Sequence, residues 1–330
     1  MSAIEAISVP THPVLQSLEP ELRLVLDKMR SAATVDLEVL EEALAYVIAV
    51  GGKLIRPSLA LLTSTMGRPV DEKTISLAAS LEMLHTATLV HDDMIDNAAL
   101  RRGNPTLHKM LDPASAVLLG DLLFAQAAKW AADTGNVRVV QIFAESLMAI
   151  VHGELRQRWA QFYVDRAAEN YFDRIYGKTA ALFAASCETG ATLRHAPPHE
   201  IRALREYGRL LGLAFQIVDD LLDFVGDASR LGKPVGSDLR NGNITLPVIL
   251  YLRDYDQSDL ADRFFSDHQL TDEQIEQTIS SVIASPALHD SQATARRLID
   301  EAKVQLLDLP PSPQIDKLQE LADYSVQRDL

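Results

Sequence analysis

The sequence predicts an all-α protein, and three observations carry that prediction. Apolar residues recur at helical spacing in nearly every segment between prolines and glycines, as in Leu22, Val25, Leu26 and Met29. No stretch alternates strictly enough to be read as a strand, and there is no short repeat or low-complexity run. The 330 residues are 47% hydrophobic, enough to fill one large core or two smaller ones.

Pro10, Pro13 and Pro20 punctuate the start, so residues 1–19 are expected to form a loose arm ahead of the first helix. A second helix is expected from Asp36 to Val50, with Leu37, Leu40, Leu44 and Val47 on one stripe and Gly51-Gly52 stopping it. Pro57 suits the first turn of the next helix. Lys53 and Arg56 beside the glycine pair fit an anion site at that helix start, although two surface cations near a turn would look the same. Lys73 to Leu100 reads as one long helix through Ile75, Ala78, Ala79, Leu81, Leu84, Ala87 and Thr88, ended by Gly103-Asn104-Pro105. Pro113 opens a helix containing Gly120-Asp121. Val137 to Tyr163 follows, with His152-Gly153-Glu154 and Gln157 inside it, and Trp130 and Trp159 read as packing residues.

A helix from Tyr171 to Thr192 carries Lys178-Thr179 among alanines. A lysine there either meets an anion, because burying it alone is costly, or extends its head to water. Pro197-Pro198 mark a loop before a long apolar helix, His199 to Val225. A glycine-rich loop from Leu231 to Gly236, continued by Asp238, Gly242, Asn243 and Thr245, leads to a helix at Leu246-Pro247. From residue 255 the chain is polar and amphipathic, with helices expected over 271–286, 289–308 and 314–328 and no site chemistry.

The chemistry concentrates in two short stretches, His91-Asp92-Asp93-Met94-Ile95-Asp96 and Val218-Asp219-Asp220-Leu221-Leu222-Asp223. Residues four apart on a helix share a face, so Asp92 and Asp96 point the same way with Asp93 beside them; Asp219, Asp220 and Asp223 repeat the pattern. At ~6 Å and an effective dielectric near 20, each carboxylate pair repels by about 3 kcal/mol. Such triplets need cations, open water or protons. A solvated acidic face would have polar flanks, whereas Leu89-Val90 precede the first triplet and Phe215, Ile217 and Val218 the second. Acids at a helix C-terminus are placed against the helix dipole, which suits a ligand better than helix stability. Hard Mg²⁺ takes oxygen ligands and bridges carboxylates to substrate phosphates. Arg101-Arg102 after the first triplet and Lys233 after the second, with Lys53, Arg56 and Lys178, supply the cations a diphosphate would need. There is no GxxxxGK[ST] phosphate loop, and apart from His91 no histidine adjoins a triplet. That favours ionising the diphosphate ester over hydrolysing it.

The net charge of -15 and absence of any basic block argue against a nucleic-acid partner. The lone Cys187 can form no internal disulfide and reads as a small buried apolar side chain, which fits a reducing compartment. The N-terminal stretch lacks the pattern of a signal peptide, and apolar runs such as Ala43 to Val50 fall far short of the ~20 residues of a transmembrane segment. A cytoplasmic protein is expected.

In order along the chain, these segments resemble the trans-type polyprenyl diphosphate synthases, relatives of farnesyl and geranylgeranyl diphosphate synthases. The matching pieces are GGKLIRP (Gly51 to Pro57), DDMIDNAALRRG (Asp92 to Gly103), GKT (Gly177 to Thr179), FQIVDDLLDF (Phe215 to Phe224) and GKPVGSDL (Gly232 to Leu239). The resemblance implies a single all-α prenyltransferase domain over residues 1–330, a bundle of the isoprenoid synthase type with a central apolar cavity, and a homodimer. It assigns Asp92, Asp93, Asp96, Asp219 and Asp223 to a set of about three Mg²⁺ ions, with Asp220 and Lys178 joining the catalytic group. Arg101, Lys178, Thr179, Gln216 and Lys233 would bind an allylic prenyl diphosphate. Gly52, Lys53, Arg56, His85 and Arg102 would bind isopentenyl diphosphate. One departure is Asn243 where the family often carries lysine, which removes a cation from that position.

The resemblance also implies that the growing tail runs beside the helix bearing Asp92, where Ala87, Leu84 and Leu81 descend in steps of ~4.5 Å. Ala87 and Thr88 are small, so a product longer than geranylgeranyl diphosphate is expected, with geranylgeranyl or farnesyl diphosphate as the alternative. A class I terpene cyclase would lack the isopentenyl diphosphate cations Lys53, Arg56 and Arg102. A non-catalytic synthase subunit would have lost carboxylates that are complete here.

Overall fold

Helices account for nearly all the regular structure, as the apolar spacing predicts. The computed structural model describes residues 10–33, 38–49, 52–101, 103–160, 168–225, 235–255 and 271–327. In chain order the helices are α1 (Pro13–Gln16), α2 (Glu19–Arg30), α3 (Glu38–Ala49), α4 (Ile55–Ser64), α5 (Glu72–Ile95), α6 (Leu107–Met110), α7 (Pro113–Asp133) and α8 (Val137–Trp159). They continue as α9 (Glu169–Ile175), α10 (Ala181–Leu193), α11 (Pro198–Val225), α12 (Ser237–Arg240), α13 (Leu246–Leu250), α14 (Asp272–Ala284), α15 (Ala287–Val304) and α16 (Pro313–Val326). No described helix is long and apolar enough to cross a membrane.

The chain divides into two compact units. The first comprises Met1–Leu147, Leu182–Gly208 and Asp308–Leu321. Its centre is α5, started by the Asp71 carboxylate accepting the Thr74 backbone N–H at 2.8 Å. Ile75, Leu77, Ala78, Leu81, Met83 and Leu84 are all buried, so this stretch is interior on every side rather than amphipathic. It packs against α2, α4 and α7.

Three expectations need correction here. The loose arm ends earlier than residue 19: α1 forms, and Val14, Leu15 and Leu18 are buried. Pro13 and Pro20 sit in the first turns of α1 and α2, where a missing N–H costs nothing, so they start helices instead of interrupting them. The long helix stops at Ile95, not Leu100. Asn97 takes a left-handed φ of 48°, the Ala98 N–H bonds the Asp93 carbonyl at 2.9 Å and the Asn97 N–H bonds that of Met94 at 3.2 Å. This Schellman motif consumes the last carbonyls. The residues beyond it form the one described strand pair, β1 (Leu100–Arg101) antiparallel to β2 (Asn104–Pro105), too short to show alternation in the sequence.

The second unit comprises Met148–Ala181, Arg209–Leu307 and Ala322–Leu330. Between α9 and α10 the chain makes a π-helical turn over Tyr176–Ala180, so the helix expected from Tyr171 to Thr192 is interrupted at the Gly-Lys-Thr segment. Added Cβ atoms show how close α8 lies to that turn: one on Gly177 would stand 2.8 Å from the Gly153 Cα, and one on Gly153 2.7 Å from the Lys178 backbone nitrogen. Gly236, with φ of 69°, leaves no room for a side chain against Ile279 of α14. A capping box of Thr271 and Gln274 starts α14.

Cys187 is buried as expected, and burial pushes its thiol pKa up. Trp130 is buried, but Trp159 is 82% exposed and lies outside the core of the chain. It continues, at helical spacing on α8, a line of exposed apolar side chains formed by Met148, Val151 and Leu155.

Candidate active site

The first unit gathers one set of candidate residues at the end of α5. Asp92 is half-buried and Asp96, the C-cap, is exposed. Asp93 faces inward and is buried, and the Arg101 guanidinium grips it: Nε lies 2.8 and 2.9 Å from the two carboxylate oxygens, and Nη2 2.8 Å from one of them. The Schellman turn and β1 bring Arg101 back over the helix end, eight residues after Asp93. His91 packs its ring over Gly120, with Nε2 3.1 Å from the Val117 carbonyl and 3.6 Å from Asp121.

A cavity of about 60 Å³ adjoins this end of α5. Gly52, His85, Asp93 and Arg101 line it, as does Glu82, a buried carboxylate that the sequence reading passed over. The signal for Glu82 was an acid inside the run Ser80-Leu81-Glu82-Met83-Leu84. Leu26, Met29 and Leu89 contribute apolar wall. Lys53 is exposed and Arg56 half-buried, its guanidinium 4.8 Å from the Phe183 ring centre. Between them Leu54 holds a left-handed φ of 54° as the N-cap of α4, a conformation costing an ordinary side chain about 1–2 kcal/mol. Strain of that kind clusters at ligand sites. Leu81, Leu84 and Ala87 are fully buried on α5 and Thr88 is half-buried. Arg102 lies outside the described residues.

The second unit gathers the other set. The Thr179 hydroxyl donates to the Gln216 Oε1 at 2.5 Å, and Gln216 Nε2 donates to one oxygen of Asp220 at 2.9 Å. Tyr171 donates its hydroxyl to the other Asp220 oxygen at 2.7 Å. Asp220 is buried, and that burial, with the negative charges of Asp238 and Asp219, pushes its pKa up to about 7 against its two hydrogen bonds. The same burial and the charge of Asp220 push the Tyr171 hydroxyl well up. Arg174 lies 6.0 Å from the Tyr171 ring centre and donates to the Ile244 carbonyl. Asp219 is half-buried. Asp223 is buried and accepts the Asp238 backbone N–H at 3.0 Å. Lys178 stands 3.0 Å from Glu154 and 3.4 Å from the Gln157 amide oxygen. Lys233 lies outside the described residues. Asn243 is described, and its N–H bonds the Asp238 carbonyl at 2.8 Å. Sequence reasoning missed Tyr171 and Arg174, which lack a charge pattern that separates them from ordinary helix residues.

Among the described residues no three acid, histidine or cysteine groups converge closely enough to hold a metal unaided. The donors are hard carboxylate oxygens, with Asp92 and Asp96 one turn apart on the accessible side. This fits a divalent ion that takes one or two carboxylates and completes its shell with phosphate oxygens.

An all-α chain with two aspartate-rich helix ends set among lysine, arginine and amide groups has the make-up of a helical diphosphate-handling enzyme. Residues 37–282 match the polyprenyl synthetase family. Heptaprenyl diphosphate synthase component 2 of Geobacillus stearothermophilus is 36% identical over 94% of this chain and 97% of its own. The crystal structure of heptaprenyl diphosphate synthase from Staphylococcus aureus superposes with a TM-score of 0.89 at 32% identity, covering 95% of this chain and 99% of that one. That of geranylgeranyl pyrophosphate synthase from Lactobacillus brevis gives 0.86 at 30% identity, covering 94% and 97%. The chain belongs to the polyprenyl synthetase family and is a prenyltransferase.

Proposed function

We propose that this protein is an Mg²⁺-dependent trans-polyprenyl diphosphate synthase, joining isopentenyl diphosphate head to tail to an allylic prenyl diphosphate. One observation carries the reading: Gly52, Asp93 and Arg101, from two separate motifs, and His85 from α5 between them meet around one cavity with an apolar wall. In this reading both units work as one catalytic domain. Gly52, Lys53, Arg56, His85 and Arg102 hold isopentenyl diphosphate. Arg101, Lys178, Thr179, Gln216 and Lys233 hold the allylic diphosphate. Asp92, Asp93, Asp96, Asp219 and Asp223 hold Mg²⁺, which supplies positive charge where the leaving diphosphate gains negative charge. The Asp93–Arg101 pair keeps both partners compensated until metal and diphosphate claim one each. Asp220, held by Tyr171 and Gln216, keeps Gln216 aimed.

The carbon–oxygen bond of the allylic substrate breaks with both electrons leaving on the diphosphate. The double bond of isopentenyl diphosphate attacks the allylic carbon, and a proton passes to the departing diphosphate. The heptaprenyl names of two relatives and the small Ala87 favour a product longer than geranylgeranyl diphosphate; the geranylgeranyl name of the Lactobacillus protein favours the twenty-carbon alternative. The exposed apolar line on α8 supports a homodimer, and the name "component 2" supports pairing with a different subunit. The buried free Cys187 suits the cytoplasm.

The test is to incubate the protein with Mg²⁺, isopentenyl diphosphate and farnesyl diphosphate and to size the products. Chains beyond geranylgeranyl are expected, and shorter ones from Ala87→Phe. Arrest at geranylgeranyl would move the assignment to the alternative. No consumption of isopentenyl diphosphate would end the synthase reading.

A further inference from the structure

We infer that Glu154 is a positioning residue that holds the Lys178 ammonium in place for the allylic diphosphate. The inference rests on the proposed role of Lys178 and adds a residue that neither the motifs nor the relatives assign. Two independent features of the second unit bring the pair together. Gly153 and Gly177 let α8 and the π turn touch backbone to backbone, closer than any side chain would allow. The residue after each glycine then meets its counterpart: Glu154 Oε1 stands 3.0 Å from Lys178 Nζ, with side chains 17% and 32% exposed. Gln157, one turn along α8, adds its amide oxygen at 3.4 Å from the same nitrogen.

A lysine carries four rotatable bonds, and fixing it costs up to about 2 kcal/mol of side-chain entropy. Glu154 and Gln157 bear that cost before substrate arrives, which is preorganisation. Gln157 takes one hydrogen bond from the ammonium and Glu154 holds its charge as an ion pair. Glu154 also repels an incoming diphosphate, so the proposal requires that aiming the lysine outweigh that repulsion. The π turn is the device that makes this geometry, since a regular α-helix would rotate Lys178 to a different angle by adding no extra residue to the turn.

The test uses the full chain with Mg²⁺ and steady-state kinetics on Glu154→Gln, which keeps the shape and removes the charge, and on Glu154→Ala. The KM for the allylic diphosphate should rise about fivefold in the first and about tenfold in the second. The KM for isopentenyl diphosphate should stay within about twofold in both. Adding Glu154→Ala to Lys178→Ala should change nothing further, because a residue acting through Lys178 has nothing left to act on. An unchanged or lower allylic KM in Glu154→Gln would overturn the inference, as would full additivity in the double variant, the mark of a merely structural role. If Lys178→Ala itself left that KM unchanged, the role of Lys178 would fall first and this inference with it.

Discussion

The two aspartate triplets share a spacing and a place near the C-terminal end of a helix, yet each is held by opposite means. On α5 the middle acid, Asp93, is buried against a cation, Arg101. On α11 the middle acid, Asp220, is buried against neutral donors, Tyr171 and Gln216. The third acids also differ. Asp96 caps its helix in the open, while Asp223 is buried under the returning chain at Asp238. An identical motif therefore fixes which acids can be offered to a ligand only together with the segment that succeeds it in the chain. After the first triplet come a left-handed Asn97 and a short strand pair bearing an arginine, whereas Asp223 of the second is met by the backbone N–H groups of Gly236 and Asp238. The first acid of each triplet, Asp92 or Asp219, is half-buried and is the member the two sites have in common.

The largest effect should come from that shared member. Asp92→Ala and Asp219→Ala are each expected to lower kcat by about 100- to 1000-fold while leaving far-UV circular dichroism unchanged. Near-normal turnover in both would sink the metal assignment. If only one variant were inactive, the triplets would not share the work.

The sequence revealed the acids, because carboxylates with apolar flanks are conspicuous, and it revealed most of the longer helices, because helices such as α2, α14 and α15 bury apolar residues at helical spacing. It did not reveal how the acids are held. Tyr171 and Arg174 look like ordinary helix residues until the fold sets them against Asp220 and Ile244. The π turn at Gly177 leaves no trace in apolar periodicity, since one extra residue shifts the pattern by less than its scatter. The early stop of α5 was legible in principle: Asn tolerates a left-handed conformation better than other side-chain-bearing residues.

The next effect tests the middle acid of the second triplet by pH. Asp220 has an ordinary carboxylate pKa near 3.8 when exposed and about 7 when folded. The unfolded chain therefore gives up this proton first. Its contribution to stability is fully present below the unfolded value and is lost as pH rises toward the folded one. In metal-free protein, unfolding free energies from urea titration should favour wild type over Asp220→Asn less at pH 8 than at pH 5, by an amount on the order of a few kcal/mol. A constant difference between the two proteins across that range would show that burial and the neighbouring carboxylates do not hold a proton there.

A smaller effect compares the partners themselves. Arg101→Gln leaves the buried Asp93 charge uncompensated and should cost about 3 kcal/mol in urea unfolding. Tyr171→Phe removes one of two neutral donors from Asp220 and should cost about 1–2 kcal/mol. Equal costs would mean that Arg101 is loosely bound despite its three short contacts, and a larger cost for Tyr171→Phe would invert the comparison.

The smallest effect lies at the turn that makes the first triplet differ from the second. Asn97 sits at a φ of 48°, which a Cβ-bearing residue other than Asn or Asp adopts at a cost of about 1 kcal/mol. Its side-chain oxygen also accepts from Lys109 at 3.1 Å, an exposed contact of little weight. Asn97→Ala should therefore destabilise the protein by about 1 kcal/mol, and Asn97→Gly by no more than a few tenths. The backbone bonds from Asn97 and Ala98 to Met94 and Asp93 hold Asp96 at the helix end and steer the chain toward Arg101. If that steering matters, Asn97→Ala should also weaken the Asp93–Arg101 pair. Its stability cost would then shrink when measured in an Arg101→Gln background, because the turn would have less to position. Equal costs in the two backgrounds would show that the Schellman turn ends the helix without organising the triplet, and the contrast between the two sites would rest on Arg101 alone.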